Sequence, residues 1–276
     1  MLQAARRGIG LSVAACALTL AAADQASAAL SCNFNAGTGL LTVRSSGFEE
    51  VVALRRDGID IEITDDAMGG ELSCAGGDPT LTNTDDIVLD DLPGAVSPAV
   101  YFDYSKGPMT PGIENESPEA SEIEIEVEWE NGFFGLGGGP LKDKYVFGNS
   151  ILGPAVKTNT DADGDAFLGS TMSVLLRGER GGDTLSGRGG FGFLSPLEIP
   201  MTIEGGAGKD KITGGSDRDI LYGEGGKDKL KGGDGRDIFE VEGGKKDKVK
   251  CGAGNDRVFA DASDKIAADC EKVSVS

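Results

Sequence analysis

Aspartates recur every nine residues toward the end of the chain, and glycines precede each of them. Asp210, Asp219, Asp228 and Asp237 are nine residues apart, and an apolar residue follows each by two positions. Glycine has no Cβ and lets backbone carbonyl groups converge, while aspartate adds a short carboxylate. Carboxylate and carbonyl oxygens are the ligands that hard cations such as Ca²⁺ take. The repeat therefore indicates a chain that offers oxygen ligands to a divalent cation.

The repeat extends toward the carboxyl end of the chain. Asp247, Asp256 and Asp264 follow at intervals of ten, nine and eight residues. One apolar residue in each unit predicts a short strand whose central side chain points inward, with a turn between successive strands. The predicted inward residues are Ile212, Leu221, Leu230, Phe239, Val249, Val258 and Ile266.

Upstream of the four regular units, an apolar residue still occurs every nine positions, but most of these units have no aspartate two positions before it. Counting back in nines from Ile212 reaches Ile203, Leu194 and Leu185, and Asp183 is again in phase two residues before Leu185. The units of Leu194 and Ile203 have no aspartate at the expected position. The solenoid is therefore predicted to continue there without aspartate ligands.

These units resemble the calcium-binding nonapeptides of repeats-in-toxin proteins, G-G-x-G-x-D-x-U-x, where U is apolar. Two of the four regular units match every fixed position, and Asp217 and Glu224 replace glycines in the other two. The resemblance is strong over 205–258 and weaker over 178–204. It implies a right-handed parallel β-roll in which two nonapeptides form one coil and Ca²⁺ lies between turns stacked on the same side.

The resemblance also implies which residues would bind the ions. Turns about eighteen residues apart would share ions, which pairs Asp210 with Asp228 and Asp219 with Asp237. Asp228 and Asp247 form a less regular pair, because the unit of Asp247 contains an extra residue and a lysine in place of a glycine. The predicted metal-site residues are Asp183, Gly205, Gly206, Gly208, Asp210, Gly214, Gly215, Asp217, Asp219, Gly223, Gly226, Asp228, Gly232, Gly233, Gly235, Asp237, Asp247 and Asp256.

A flexible glycine-rich linker and a metal-free β-helix are the two alternative interpretations of the repeat. A linker has no reason to keep aspartate and apolar residues in phase. Short strands with one inward side chain each bury too little apolar surface to offset chain entropy, and ions bound only by the folded state would supply the missing stabilisation. We therefore expect residues 205–258 to be largely disordered without calcium and ordered with it.

The first half of the chain is predicted to be β-rich and continuous with the roll, which makes the whole fold all-β. Residues 58–64 and 121–130 alternate apolar and polar side chains, as half-buried strands do. The five glutamates of 121–130 are interpreted as a solvated strand face. Residues 161–165 resemble the start of an EF-hand loop, but Ala166 and Met172 stand where glycine and glutamate are required, so an EF-hand is rejected and a divergent calcium turn stays open.

The amino-terminal residues have the pattern of a secretory signal peptide. Arg6 and Arg7 precede an apolar run over 9–22, and small residues at 26–28 offer a cleavage site. The run is shorter than a membrane span needs, and a lipid anchor at Cys16 is the alternative. The predicted organisation is a signal peptide at 1–28, an acidic β-rich region at 29–150, and a nonapeptide roll with a disulfide cap at 151–276.

Charge and cysteine content restrict the partners and the compartment. The net charge is -20, and it is uneven: residues 29–130 hold 22 acidic and 4 basic residues, whereas 205–276 hold 15 and 14. Strong negative charge argues against nucleic acid and anionic membranes as partners. Cleavage after residue 28 would leave four cysteines, an even number that favours disulfides in an oxidising compartment over free thiols.

The spacing of two cysteines predicts one pairing. Cys251 and Cys270 are nineteen residues apart, about one coil, and stacked coils bring such residues within the Cα separation that a disulfide accepts. The partner pair is then Cys32 and Cys74 by elimination.

The sequence predicts a secreted, non-catalytic calcium-binding protein with no transmembrane span, and a cell-wall or extracellular glycan as a further partner. The chain has no histidine, which excludes H-E-x-x-H zinc sites and Ser-His-Asp catalysis. A calcium-dependent polysaccharide lyase with a base such as Arg55, Arg56 or Arg177, and an adhesin-like structural module, are the alternatives. The toxins of the family leave the cell through a C-terminal signal and avoid cysteine, so their activity and export route are not implied.

Overall fold

The computed structural model describes residues 30–45, 51–65, 70–84, 86–91, 99–105, 124–128, 132–150, 153–157, 166–168, 171, 173–190, 193–243 and 245–276. The strands of the amino-terminal part are β1 (Ser31–Asn35), β2 (Leu40–Ser45), β3 (Val51–Asp57), β4 (Asp60–Asp65), β5 (Gly70–Glu71), β6 (Asp86–Asp91), β7 (Ala99–Asp103), β8 (Glu124–Val127), β9 (Phe133–Gly137), β10 (Lys144–Ser150), β11 (Gly153–Lys157) and β12 (Ala166–Phe167). They are followed by β13 (Ser173–Arg177), β14 (Arg180–Gly181), β15 (Thr184–Ser186), β16 (Met201–Glu204), β17 (Ala207–Gly208), β18 (Lys211–Thr213), β19 (Ile220–Tyr222), β20 (Gly225–Gly226), β21 (Lys229–Gly235), β22 (Ile238–Val241), β23 (Lys248–Gly254), β24 (Arg257–Ala260), β25 (Lys265–Ile266) and β26 (Lys272–Val275).

Two long sheets enclose one hydrophobic core. The twelve-stranded sheet has the order β1-β2-β6-β8-β12-β11-β10-β15-β18-β21-β23-β25, and the eleven-stranded sheet has the order β26-β24-β22-β19-β16-β13-β9-β7-β3-β4-β5. From β15 onward, successive strands alternate between these two sheets, apart from β17 and β20 of a small third sheet. The predicted all-β roll is confirmed.

Each nonapeptide supplies one strand, and strands two units apart lie side by side. Ile212 is the parallel neighbour of Leu230, and Leu221 is the parallel neighbour of Phe239. Apolar side chains from the two sheets therefore meet in rows along the roll. The predicted inward residues from Ile212 to Val258 are all at most 1 % exposed, and Ile266 of the last unit is partly buried.

The prediction that the apolar interval runs unbroken from Leu185 to Ile212 is wrong at Leu194. Leu194 is 74 % exposed, whereas Leu185 and Ile203 are fully buried. Leu185 is the direct neighbour of Ile212, twenty-seven residues away, so this coil contains one extra nonapeptide length. The nine extra residues lie between β15 and β16, where Leu197 supplies the buried side chain instead of Leu194.

The amino-terminal part continues the same two sheets with larger side chains. β3, β7, β9, β13 and β16 form consecutive parallel pairs in the eleven-stranded sheet. Phe134 lies 5.6 Å from Phe102 and 6.2 Å from Phe147 between ring centroids. The two sheets cross residue 150 without a break in pairing, which confirms that the amino-terminal half is continuous with the roll.

An antiparallel insertion interrupts the twelve-stranded sheet between β8 and β15. β10 and β11 form a hairpin, β11 pairs antiparallel with β12, and β12 returns to lie parallel to β8. Ile125 and Val127 of β8 are buried, as the alternation in that segment predicted.

Both predicted disulfides are present. Cys251 and Cys270 are linked with their Cα atoms 5.1 Å apart, and Cys32 is linked to Cys74. The first bond joins the strand β23 to the segment that follows β25, so it holds the last coil against its neighbour. The second ties the edge strand β1 to residues that follow β5.

Three predictions fall outside the described residues: the signal peptide, the alternative anchor at Cys16, and the divergent turn at 161–165. Within the described residues, no helix is long and apolar enough to cross a membrane.

Candidate metal centre

Six aspartates stack in a column on one side of the roll, where the turns enter the twelve-stranded sheet. At each step the backbone N–H of one aspartate donates to Oδ1 of the next aspartate in the column, at 2.7–2.9 Å. This column, called the first ladder below, consists of Asp143, Asp183, Asp210, Asp228, Asp247 and Asp264.

A second ladder runs along the opposite turns, which enter the eleven-stranded sheet. It links Met201, Asp219, Asp237, Asp256 and Glu271 by the same backbone-to-carboxylate contact at 2.8–2.9 Å. Both predicted pairings of the regular units, Asp210 with Asp228 and Asp219 with Asp237, thus correspond to direct contacts between coils.

The pairing of Asp228 with Asp247 is as close as the regular ones, since the Asp228 N–H lies 2.7 Å from Asp247 Oδ1. The extra residue that made this pair irregular in the sequence is taken up by a strand. β22 is one residue longer than β19, and its last residue, Val241, is fully buried. The turn that carries Asp247 therefore keeps its position.

Six of the nine ladder aspartates have one carboxylate oxygen that is buried without a hydrogen-bond partner among the described residues. Asp143, Asp219 and Asp264 differ, because their Oδ2 atoms accept the N–H groups of Gly139, Gly215 and Asp261 at 2.7–2.9 Å. A buried acceptor that has lost water without gaining a partner costs free energy, and such atoms are rare in native proteins. The unpartnered atoms are Oδ2 of Asp183, Asp210, Asp228, Asp237, Asp247 and Asp256.

Burial of these carboxyl groups disfavours their charged form. Loss of solvation raises the pKa of Asp219, Asp228 and Asp237 from the ordinary 3.8 to about 7. The same cause raises the pKa of Asp183 and Asp247 to about 6. The next carboxylate along the column adds repulsion in each case, while the N–H groups that donate to Oδ1 work in the opposite direction. A cation beside the free oxygens would reverse this balance.

Glycine turns bring carbonyl oxygens up to the carboxylates. A Cβ added at Gly226 would overlap the carbonyl oxygen of Gly208 one coil earlier and would lie 2.8 Å from Asp228 Oδ1. Gly206 has a φ of 85°, a conformation that glycine adopts without strain. The space beside each such turn is therefore bordered by a carbonyl oxygen of one coil and a carboxylate of the next.

Side chains alone do not make a metal site here. Among the described residues, no group of three or more acidic, cysteine or histidine side chains lies close enough together to hold a metal ion. A cation in these turns would need the carbonyl oxygens as well, and a donor set of carboxylate and carbonyl oxygens fits Ca²⁺.

Most of the predicted metal-site residues lie in these turns. Asp217 is an exception, because its side chain is exposed and accepts the N–H of Arg218, although its carbonyl oxygen packs against Gly235. The predicted glycines occupy the corners beside the two ladders: Gly205, Gly206, Gly208, Gly214, Gly215, Gly223, Gly226, Gly232, Gly233 and Gly235.

Three ladder residues that contribute a carboxylate were missing from the predicted site residues. Asp143 lies forty residues before Asp183 because the β11–β12 insertion separates them. Asp264 and Glu271 end the two ladders in the cap. The sequence does contain features that could have identified Asp143 as a ladder residue. Glycines at 137–139 precede it, and the large side chain of Tyr145 follows it by two positions.

Residues 204–239 match the family of the RTX calcium-binding nonapeptide repeat, in four copies. The chain carries RTX repeats. The match confirms the predicted repeat family over these residues, and that family is described as calcium-binding. Asp247 and Asp256 lie beyond the matched residues but accept the same backbone-to-carboxylate hydrogen bonds as the matched aspartates. No curated protein and no solved structure matches the chain significantly.

The guanidinium groups that could serve as a lyase base are engaged elsewhere. Arg55 is paired with Glu62, Arg177 donates to Glu204 at 2.8 Å, and Arg56 Nε donates to the carbonyl of Gly58 at 2.9 Å. These contacts lie outside the RTX turns.

The pKa shifts predict that the calcium-free RTX roll loses stability as pH rises from about 4 to about 7. In that window the folded state holds protons on buried carboxyls such as Asp228 that the unfolded chain, with a pKa near 3.8, has released. The stabilisation from these bound protons is complete at a pH below the unfolded-state pKa near 3.8. It is lost as the pH rises through the folded-state pKa of about 7. Urea denaturation in chelator, followed by circular dichroism across this range, measures the trend. In saturating calcium the trend should reverse, because ion binding displaces the same protons; a stability that rises with pH in chelator would contradict the prediction.

Proposed function

We propose that this chain is a secreted, non-catalytic calcium-binding protein whose RTX roll folds around Ca²⁺ held between stacked turns. The row of buried Oδ2 atoms carries the proposal, because none of them has a hydrogen-bond partner in the part of the chain that the structure describes. The RTX match over 204–239 supports calcium as that partner.

The ions would lie between successive members of each ladder. In the first ladder, Asp210 and Asp228 would contribute carboxylate oxygens, and the turns that contain Gly208 and Gly226 would contribute carbonyl oxygens. In the second ladder, Asp237 and Asp256 would do the same. The residues position the oxygens and exclude water, and the ion would supply the positive charge that the buried carboxylates lack.

A binding role is favoured over catalysis. The sequence has no histidine, and Arg55 and Arg177 are held in ion pairs. The acidic residues with strongly raised pKa values belong to the ladders, where their spacing follows the coils and not the geometry of a substrate.

Export is supported by two independent features. The first residues have the pattern of a signal peptide, and two disulfides are present, which is typical of proteins in oxidising compartments. We include an extracellular or cell-wall glycan as the proposed partner of the folded roll.

Isothermal titration of the chain with calcium tests the proposed function. We expect saturable binding of several ions, with affinities on the order of 10⁻⁴–10⁻³ M or tighter, as in other extracellular modules. Magnesium is the matched control, since its small octahedral shell retains water and should bind these turns more weakly. Absence of binding at millimolar calcium, or equal binding of both ions, would refute the proposal.

A further inference from the structure

The outer face of the twelve-stranded sheet carries an array of lysines in its last four strands. These lysines flank the inward residues Ile212, Leu230, Val249 and Ile266, and all of them are exposed. The array, called the lysine face, consists of Lys211, Lys229, Lys231, Lys248, Lys250 and Lys265.

Four of these lysines form a straight row across the strands. Lys211 pairs in register with Lys229, Lys229 with Lys248, and Lys248 with Lys265. Strands in a sheet are about 4.8 Å apart, so the row extends for roughly 14 Å along the roll. Lys231 and Lys250 form a second row on the same side. Like charges directly opposite each other on a sheet are destabilising.

Among the described residues, no acidic side chain flanks the inward residues of this face. Thr213 and Ala267 are the only other residues that flank the four inward residues, and the six lysines form no ion pair within the described part of the chain. The protein has 46 acidic residues, so acidic side chains are not scarce. On the eleven-stranded sheet, the row that corresponds to Lys231 and Lys250 does include acids, at Glu204 and Glu240.

We propose that the lysine face binds a linear anionic polysaccharide, with the acidic groups of successive sugars lying along the row of four lysines. The proposal rests on the proposed function, since the row exists only when the RTX turns are ordered. It names the surface and the chemical class of the glycan partner: a chain with one carboxylate or sulfate group at regular intervals.

The shape of the face favours a polysaccharide over nucleic acid or membrane. The phosphates of B-DNA follow a helix, whereas the lysine row is straight. The flanking positions carry no aromatic residue on which bases could stack. They also carry no large apolar side chain that could enter a bilayer.

The lysine row is coupled to the first ladder through the backbone. Each lysine of the row directly follows a ladder aspartate, and the Lys229 N–H donates to the carbonyl of Asp210 at 2.9 Å. The Lys248 N–H donates to the carbonyl of Asp228 at 3.0 Å. Ions that order these turns therefore also align the lysines. Because coupling between two binding sites is reciprocal, bound polysaccharide should in turn increase the affinity of the chain for calcium.

A second cationic surface on the opposite side of the roll offers a matched control. A groove there is lined by Arg218, Arg236, Arg257 and Lys272. It is less regular, and the Lys272 ammonium already donates to Asn255 Oδ1 at 2.6 Å. Replacing Arg218 and Arg236 removes as much charge from the roll as replacing two lysines of the row does.

Fluorescence anisotropy in saturating calcium tests the inference, with labelled oligogalacturonate and labelled chondroitin sulfate as the two anionic probes. Methyl-esterified oligogalacturonate is the neutral probe and should not bind. We expect the variant Lys229→Gln/Lys248→Gln to bind both anionic probes about tenfold more weakly or worse, with a smaller salt dependence. The variant Arg218→Gln/Arg236→Gln should bind within about twofold of the native chain.

Three outcomes would overturn the inference. The first is that the arginine variant loses as much affinity for the anionic probes as the lysine variant, or more. The second is that the chain binds duplex DNA or phosphatidylserine vesicles more tightly than both polysaccharides. The third is that neither anionic probe binds at low salt. Calcium titration of the same samples by circular dichroism separates the two proposals. A chain that responds to calcium but ignores the polysaccharides refutes only the lysine-face inference, whereas a chain without any calcium response refutes the proposed function.

Discussion

Chelation of calcium is expected to unfold the RTX coils while the amino-terminal part of both sheets stays folded. Each RTX coil contributes only two inward side chains to the core, such as Leu221 and Leu230, which cannot offset the entropy of ordering about eighteen residues. The ladders add repulsion between stacked buried carboxylates when no cation is present. A site saturated at a hundred times its dissociation constant would add about 2.7 kcal/mol.

Hydrogen exchange measured by mass spectrometry locates the boundary of this transition. In EGTA, amides of β18, β19, β21 and β22 should lose protection by several orders of magnitude, whereas amides of β7 and β9 should retain it. The retained part contains the packed rings of Phe102, Phe134 and Phe147, and aromatic side chains bury more apolar area than the aliphatic side chains of the RTX rows. Magnesium added in excess over the chelator serves as the control and should not restore protection. Protection in β19 and β21 that is the same with and without calcium would contradict the prediction.

The disulfide between Cys251 and Cys270 should make this unfolding readily reversible. It closes a loop of nineteen residues, worth about 3 kcal/mol in the chain-entropy account of disulfides. The last coil therefore remains beside its neighbour when ions leave.

The features that could be predicted from the sequence are those that depend on a residue's position within the nine-residue repeat. The fixed offset between Asp219 and Leu221 recurs in every regular unit, and turn and strand geometry convert that offset into an inward side chain and a stacked carboxylate. The disulfide between Cys251 and Cys270 followed from similar arithmetic, because nineteen residues is the length of one coil with an extra residue. The pairing of Cys32 with Cys74 followed from it by elimination.

The predictions that failed concern residues where the chain departs from the nine-residue repeat. Leu194 is in phase by count, but fourteen residues separate β15 from β16, Leu194 is exposed, and Leu197 fills the core instead. Asp143 was missed because an inserted hairpin lies between it and Asp183. Glu271 closes the second ladder from a cap that lacks the glycine framework, so only the three-dimensional fold identifies it.

Replacing Asp228 with asparagine is expected to change stability in opposite directions with and without calcium. Asp228 is fully buried in the middle of the first ladder, where Oδ1 accepts the Asp210 N–H at 2.9 Å and Oδ2 has no partner. Burial raises its pKa to about 7, so near pH 8 the calcium-free fold contains a destabilising charge. Asparagine removes that charge and keeps a carbonyl oxygen for Asp210. In EGTA the RTX coils of the variant should therefore be less unfolded than those of the native chain, and they should lose their remaining structure at a higher temperature.

In calcium the same substitution should be harmful, because Asp228 contacts both neighbouring members of the ladder, Asp210 and Asp247. Loss of its charge would weaken the ions on either side, and we expect the calcium affinity of those sites to fall at least tenfold, about 1.4 kcal/mol each. Asp234→Asn is the matched control, since Asp234 lies on the adjacent turn, carries the same charge and is exposed; it should alter neither melting temperature appreciably. Thermal denaturation of the three proteins in calcium and in EGTA gives the comparison.

The change of sign is what distinguishes a metal ligand from a structural aspartate. If Asp228 only supported the turn through its hydrogen bond to Asp210, asparagine would shift the melting temperature equally in both conditions. If the buried charge were tolerated without an ion, the calcium-free variant would not gain stability. Only a carboxylate held in place for a cation is destabilising in its absence and required in its presence, so a parallel shift in calcium and EGTA would exclude a ladder of ions as the element that holds the roll together.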